Sequence, residues 1–363
     1  MNQAEKRKWF IGLAVFLVIE TCVVLTVVFT WAAARDIPVL AQLPTPTTDS
    51  PPATSVEAAF TPEFPPGAAT LPASVTAGLP TDTPPSPATS TPDRPVFAIP
   101  PPGKIVYTCF DGQFDQICII NADGTGQRQL TDDSATNFYP SLGPDGRQIV
   151  FSSRVDGNFE IHIMDVDGQN REPLTNDIGN LFAPTISPKG NRILFTAARG
   201  SYQDIWVMKT DGGNPHPIIE GSGSDIDPVW SPDANSILFA SGRSGKTLLY
   251  TMSASGSEPE LVFREPEVGG RSDWAPTGDW FAFYAGPDGG HEIYLVQPNG
   301  RGLTQITNGG DNLGPSFSPD GQWVTFTSFR DGNNEIYVMR LDGSELHNIT
   351  LDPGSQYQPR WGP

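Results

Sequence analysis

The chain has 363 residues with 22 Lys+Arg against 41 Asp+Glu, a formal net charge of −19. A surface this acidic repels phosphate backbones and anionic headgroups, which excludes nucleic acid and polybasic membrane binding as ordinary partners. It leaves a basic protein, a cation or a neutral glycan.

The first eight residues form a short basic tail carrying Lys6, Arg7 and Lys8. Residues 9–34 are apolar apart from Glu20 and a few threonines. A run longer than about 20 apolar residues reads as a transmembrane helix, and the basic cluster before it places the N-terminus in the cytoplasm. The run exceeds the usual length of a cleaved signal, so the reading is a signal-anchor, with everything after it outside the membrane. The expected location is a cell membrane, single-pass, with the bulk of the chain periplasmic or extracellular.

Residues 35–103 change composition sharply. They hold 18 of the 37 prolines, interleaved with Thr and Ser. Too little apolar surface is present to offset chain entropy, so no fold is expected here. Proline density favours an extended, semi-rigid stalk.

From residue 104 the pattern becomes repetitive. Pro315–Thr350 reads as four short strands, A to D, separated by Pro-Asp-Gly, Arg-Asp-Gly-Asn-Asn and Asp-Gly. Period-two alternation and Asp-Gly turns are the marks of antiparallel hairpins. The large residue of strand A recurs at Leu142, Ile186, Trp230, Trp274, Phe317 and Trp361, in steps of 43 or 44. Strand C recurs in the same register at Ile117, Ile161, Ile205, Leu249, Ile293 and Ile336. Four strands per repeat at this period mark an all-β propeller. The repeat begins with a strand B at Lys104–Tyr107 and ends with a strand A at Gln358–Trp361. The two fragments complete one unit, so six blades are expected over 104–363, closed by the C-terminal strand beside the first.

Pro228-Val229-Trp230-Ser231-Pro232-Asp233 and Glu335-Ile336-Tyr337-Val338-Met339, with the Asp-Gly and Leu-Thr pairs that follow, resemble the TolB-like, WD-like β-propeller repeat. The resemblance covers 104–363 and implies the fold. The α/β domain that precedes the propeller in TolB has no counterpart in this sequence, and no hydrolase domain follows Pro363, so the family's activities are not carried over.

Cys109 and Cys118 fall on strands B and C of the first blade, either side of Asp111-Gly112, and are expected to pair in an exported domain. The third cysteine, Cys22, lies in the apolar run and forms no lipobox.

The repeated A–B and C–D turns read as structural. The B–C loops and D–A crossings vary between blades, and variable loops on a rigid scaffold are where binding concentrates. The crossings put Phe138, Tyr139, Phe182, Asp225, Asp227, Arg271, Asp273, Asn312, Tyr357 and Gln358 around the channel mouth. Arg154, Arg199, Arg243 and Arg330 after strand B face Glu160, Asp204, Glu292 and Glu335 on strand C, and are expected to pair as ions within each blade. His162 stands where sister repeats carry Trp206, Tyr250, Tyr294 and Tyr337, so it reads as a packing residue. The histidines show no zinc spacing. Asp165-Val166-Asp167-Gly168 lacks the later ligands of a calcium loop. Ser244-Gly245-Lys246-Thr247 lies in a β-hairpin without the strand-to-helix context of a phosphate loop. No metal, nucleotide or other cofactor is expected. No G-x-S-x-G elbow is present.

Three readings follow, the third being a structural spacer with no specific ligand. The first is a non-catalytic binding or scaffold module for a protein or cell-envelope polymer. The second is a glycan-active hydrolase or lyase using Asp225, Asp227, Asp273 and Asp311. It requires two facing carboxylates, one in an apolar setting that raises its pKa.

Overall fold

The computed structural model describes residues 95–363 apart from Ser222. The basic tail, the apolar run and the stalk up to residue 94 lie outside the described residues. All regular structure described is β, in six four-stranded antiparallel sheets.

Blade 1 joins β1 (Lys104–Phe110), β2 (Asp115–Asn121) and β3 (Arg128–Gln129) to the last strand, β24 (Gln356–Gly362). Blade 2 runs from β4 (Asn137–Leu142) through β5 (Gln148–Val155) and β6 (Asn158–Asp165) to β7 (Glu172–Pro173). Blade 3 comprises β8 (Asn180–Ile186), β9 (Arg192–Arg199), β10 (Tyr202–Lys209) and β11 (His216–Ile219). Blade 4 comprises β12 (Asp225–Trp230), β13 (Ser236–Ser241), β14 (Leu248–Ser253) and β15 (Glu260–Leu261). Blade 5 comprises β16 (Asp273–Trp274), β17 (Phe281–Ala285), β18 (Glu292–Val296) and β19 (Thr304–Gln305). Blade 6 comprises β20 (Asn312–Phe317), β21 (Trp323–Ser328), β22 (Glu335–Arg340) and β23 (His347–Asn348).

The ring closes as the repeat register requires. Strands β1 and β24 pair antiparallel, with Ile105 opposite Trp361 and Lys104 opposite Gly362. The innermost strands β24, β4, β8, β12, β16 and β20 touch in unbroken succession, and β20 returns to β24. Each blade keeps its inner strand as a sheet edge, and the closed ring turns those edges onto the central channel.

The core lies between blades. Trp230 of blade 4 is buried, donates its indole N–H to the Thr185 carbonyl of blade 3 at 3.3 Å, and is covered by Arg192. Successive blades therefore share one apolar seam, which neither blade covers alone. Cys109 and Cys118 are joined by a disulfide, Cα–Cα 5.9 Å, diagonally across the β1–β2 hairpin.

The repeated Leu-Thr at the end of strand D has a defined task. Thr131, Thr175, Thr307 and Thr350 each accept a strand C backbone N–H through Oγ1, from Ile117, Ile161, Ile293 and Ile336 at 2.8–3.0 Å. The same hydroxyls donate to the residue opening strand C: Gln116, Glu160, Glu292 and Glu335. In these blades a side chain thus continues the bonding beyond the two paired residues of strand D.

That bond corrects the expected Arg–acid pairs. The strand C acid of these blades is engaged by threonine. The arginine lies instead over the strand C aromatic: Arg199 on Trp206, Arg243 on Tyr250 and Arg330 on Tyr337, at 4.9–5.1 Å. Arg243 pairs with Asp225 at 3.0 Å and Arg330 bonds Asn312 at 3.1 Å, both on strand A. In blade 2 the slot is filled from strand D: Arg171 lies over Phe151 and bonds Asn137 and Ser153. Arg154 is left outside, over Phe159.

Residues 95–103, assigned to the stalk by composition, pack on the propeller. Phe97 lies edge-on to Trp323 and His347, and the Pro102 carbonyl accepts the Trp361 indole N–H at 2.8 Å. Phe97 supplies an apolar anchor within a proline-rich stretch. It docks at the rim of the A–B and C–D turns. The chain therefore enters the ring on the side opposite the D–A crossings.

Candidate functional site

The mouth is built by a repeated irregularity of the inner strand. Tyr139, Ala183, Asp227, Gly314 and Gln358 occupy equivalent positions with φ between 50° and 56°. Each precedes a proline and sits within a break in ladder register. Proline has no N–H to continue the ladder, and a bulge re-aims the side chain beside it. A left-handed non-glycine residue costs of order 1–3 kcal/mol, which the closed ring over-determines. Blade 5 differs: Arg271 stands at this rung, followed by Ser272 rather than proline. Two residues before it stands Gly269, whose place for a side chain is taken by the Tyr284 ring, 1.9 Å from an added Cβ.

These positions converge. The Arg271 guanidinium lies over the Tyr139 ring, 5.2 Å from its centroid. Blades 5 and 2 are diametrically opposed, so this side chain crosses the central channel. Arg271 Nη1 also donates to the Gln358 carbonyl at 3.4 Å. The Gln358 carboxamide oxygen accepts from the Tyr139 backbone N–H at 3.0 Å and from the Thr108 hydroxyl at 3.1 Å. Together they form a floor. Burial, reinforced by nearby Arg360, lowers Arg271 to about 9. Burial raises the Asp227 carboxyl, partly offset by Arg271 and Arg360. It also raises the Tyr139 hydroxyl.

One wall is aromatic. Phe138, Phe159 and Phe182 stand with centroids 4.5–6.0 Å apart, and Tyr139 joins them. On the blade 1 side, the Tyr357 hydroxyl donates to the Asp115 carboxylate, whose pKa burial raises. One rung further along the inner strands, Asp273 pairs with Arg360 at 3.3 Å and accepts from Ser316 Oγ and the Phe317 N–H, both at 2.8 Å. This knot ties blades 5, 6 and 1.

Of the residues expected at the mouth, the structure brings together Phe138, Tyr139, Phe182, Asp227, Arg271 and Gln358. Tyr357 stands apart on Asp115, and Asp273 belongs to the Arg360 knot. Asp225 and Asn312 do not reach the channel. Both are fully buried, Asp225 against Ser241 and Arg243, Asn312 against Glu292 and Arg330. They precede the bulge, and the bulge reverses which side of the strand faces inward. Sequence reasoning missed Phe159, Tyr284, Thr108 and Arg360. Arg360 was detectable, because it stands one position before the strand A aromatic, where sister repeats carry Ser141 and Ser316.

A family model described as the TolB beta propeller domain matches residues 103–286 and 260–363. The chain belongs to the TolB β-propeller family. Among solved structures it is similar to TolB from Acinetobacter baumannii, 24% identical with a TM-score of 0.65 over 72% of this chain and 67% of that one. It is also similar to a putative TolB from Agrobacterium tumefaciens, at 18% identity and a TM-score of 0.59, over 72% of this chain and 99% of that one. A chain of a nidogen/laminin complex shares the fold at 11% identity and a TM-score of 0.59, again over 72% and 99%. Identities this low carry the propeller architecture alone. No curated protein matches the chain.

Proposed function

We propose that this TolB-like propeller is a non-catalytic binding module, held outside a membrane by its N-terminal segment and presenting its channel mouth to a protein or cell-envelope polymer. The observation that carries this reading is the Arg271–Tyr139 contact across the channel. It turns a pore into a cup, with a polar floor and an aromatic wall of Phe138, Phe159 and Phe182. A rigid concave site with a few convergent polar groups is the usual form of a recognition surface.

The glycan-hydrolase reading needs two carboxylates facing one another. Each candidate instead faces a basic group: Asp225 with Arg243, Asp273 with Arg360, Asp311 with His291 at 2.7 Å, and Asp227 under the charge of Arg271. Carboxylates that each face a basic side chain rather than one another suit recognition better than acid/base work.

The test is retention of partners from an envelope extract by the full chain. The combined Phe138→Ala, Tyr139→Ala and Phe182→Ala variant should lose partners that the wild type keeps. Equal retention by a variant of unchanged Tm would overturn the mouth as the binding surface.

A further inference from the structure

Asp227 and Arg271 occupy the same rung on neighbouring blades, and both are more than nine-tenths buried, at 9% and 6% exposure. Opposite charges so placed normally close into an ion pair, as Asp225–Arg243 and Asp273–Arg360 do nearby. This pair does not. Among the described residues, no hydrogen bond reaches the Asp227 carboxylate, and Arg271 makes a single long one, from Nη1 to the Gln358 carbonyl. Arg271 Nε is sealed from solvent without a partner. The two side chains nevertheless feel one another's charge.

The separation has a structural cause. Arg271 is drawn across the channel onto Tyr139. Asp227 is fixed by its left-handed backbone and by the bond from its N–H to Thr196 Oγ1, which sets its carboxylate against Gly270. The carboxylate and the guanidinium are thus held out of pairing range, an acceptor and a donor bordering one gap. Leaving desolvated charges incomplete is costly, and a group that completes both recovers that cost. The two charges already balance, so the completing group must itself be neutral. A carboxylate would satisfy Arg271 and repel Asp227; an ammonium would do the reverse.

We propose that this gap receives a primary carboxamide, the side chain of an asparagine or glutamine on a peptide partner. Its N–H donates to Asp227 and its oxygen accepts from Arg271. A primary amide carries two N–H donors, one syn and one anti to its oxygen, so it can meet the carboxylate and the guanidinium together whichever way they face, whereas the trans secondary amide of a backbone or an acetamido sugar has one N–H, directed away from its oxygen. The inference rests on the mouth being a binding site and names the group that the site reads.

The experiment is ligand-observed saturation-transfer NMR on the full chain with four probes: propionamide, N-methylpropionamide, propionate and propylammonium. Propionamide should bind, and should bind at least about tenfold more weakly to the Asp227→Leu/Arg271→Met double variant. Removing both charges together avoids stranding either one, and an unchanged circular dichroism spectrum and Tm certify the variant's fold. Propionate, propylammonium or N-methylpropionamide binding as well as propionamide overturns the proposal. So does the absence of any propionamide signal that the double variant removes, which would mean that the gap holds water alone. If the double variant retains extract partners that the aromatic variant loses, the mouth stands as a binding surface and the carboxamide inference falls by itself.

Discussion

His162 shows how one residue departs from its repeat and what the departure entails. Its ring is buried against Phe151, its Nδ1 faces the Arg171 Nε at 3.4 Å, and its Nε2 has no partner. Burial and the Arg171 charge lower its pKa to about 4, from an ordinary 6.5. A base with a depressed folded pKa stays neutral while the unfolded chain takes up a proton. This contribution is therefore full above pH 6.5, falls as pH drops through the window to 4, and is gone below it. The expected loss is about 1–3 kcal/mol, one pKa unit being worth about 1.4 kcal/mol. In urea melts at pH 7 and pH 4.5, His162→Phe should lack this share of the difference; an equal shift in both proteins would refute it. Trp230→Ala removes a seam residue that also bonds the next blade. It should cost about 3–5 kcal/mol, and an unchanged Tm would count against its place in the core.

At the scale of the strand, the Leu-Thr pair was legible as a repeat, but its chemistry was not. The hydroxyl closes strand C only because the chain turns back at a fixed offset, which brings Thr350 to Ile336 N–H and Glu335 at once. Thr350→Val leaves a buried N–H and a buried carboxylate short of a partner. The expected loss is about 1–3 kcal/mol, with faster exchange of the Ile336 amide than of its neighbours. Uniform exchange across β22 would show that the hydroxyl is dispensable. The Arg–acid expectation failed in blades 2 and 6 for the same reason: sequence spacing named two partners, but threonine reached Glu160 and Glu335 first, while in blade 3 Asp204 accepts from the Gly221 N–H. The Cys109–Cys118 bond closes a short loop in the blade that the terminus completes. Its reduction should cost about 2–3 kcal/mol, read as a lowered Tm in reductant; no change would remove it as a staple of blade 1.

For the whole molecule, everything depends on the last strand. Removing residues 356–363 exposes the β1 edge, deletes Trp361 from the seam between blades 6 and 1, and frees Arg360 from Asp273. The shortened chain should lose its cooperative melt and associate through the open edge, as seen by calorimetry and size-exclusion chromatography. A monomer with a wild-type transition would contradict the closure argument. Blade number, strand order and the manner of closure were all readable in the sequence, because each follows from a local hairpin repeated at one spacing and from where that repeat begins and ends. The cup was not readable. Arg271 meets Tyr139 only because six inner strands converge on one axis, and Asp227 faces inward only because a left-handed bulge turns it there. Residues distant along the chain become neighbours through ring geometry and backbone strain, neither of which the spacing of side chains records.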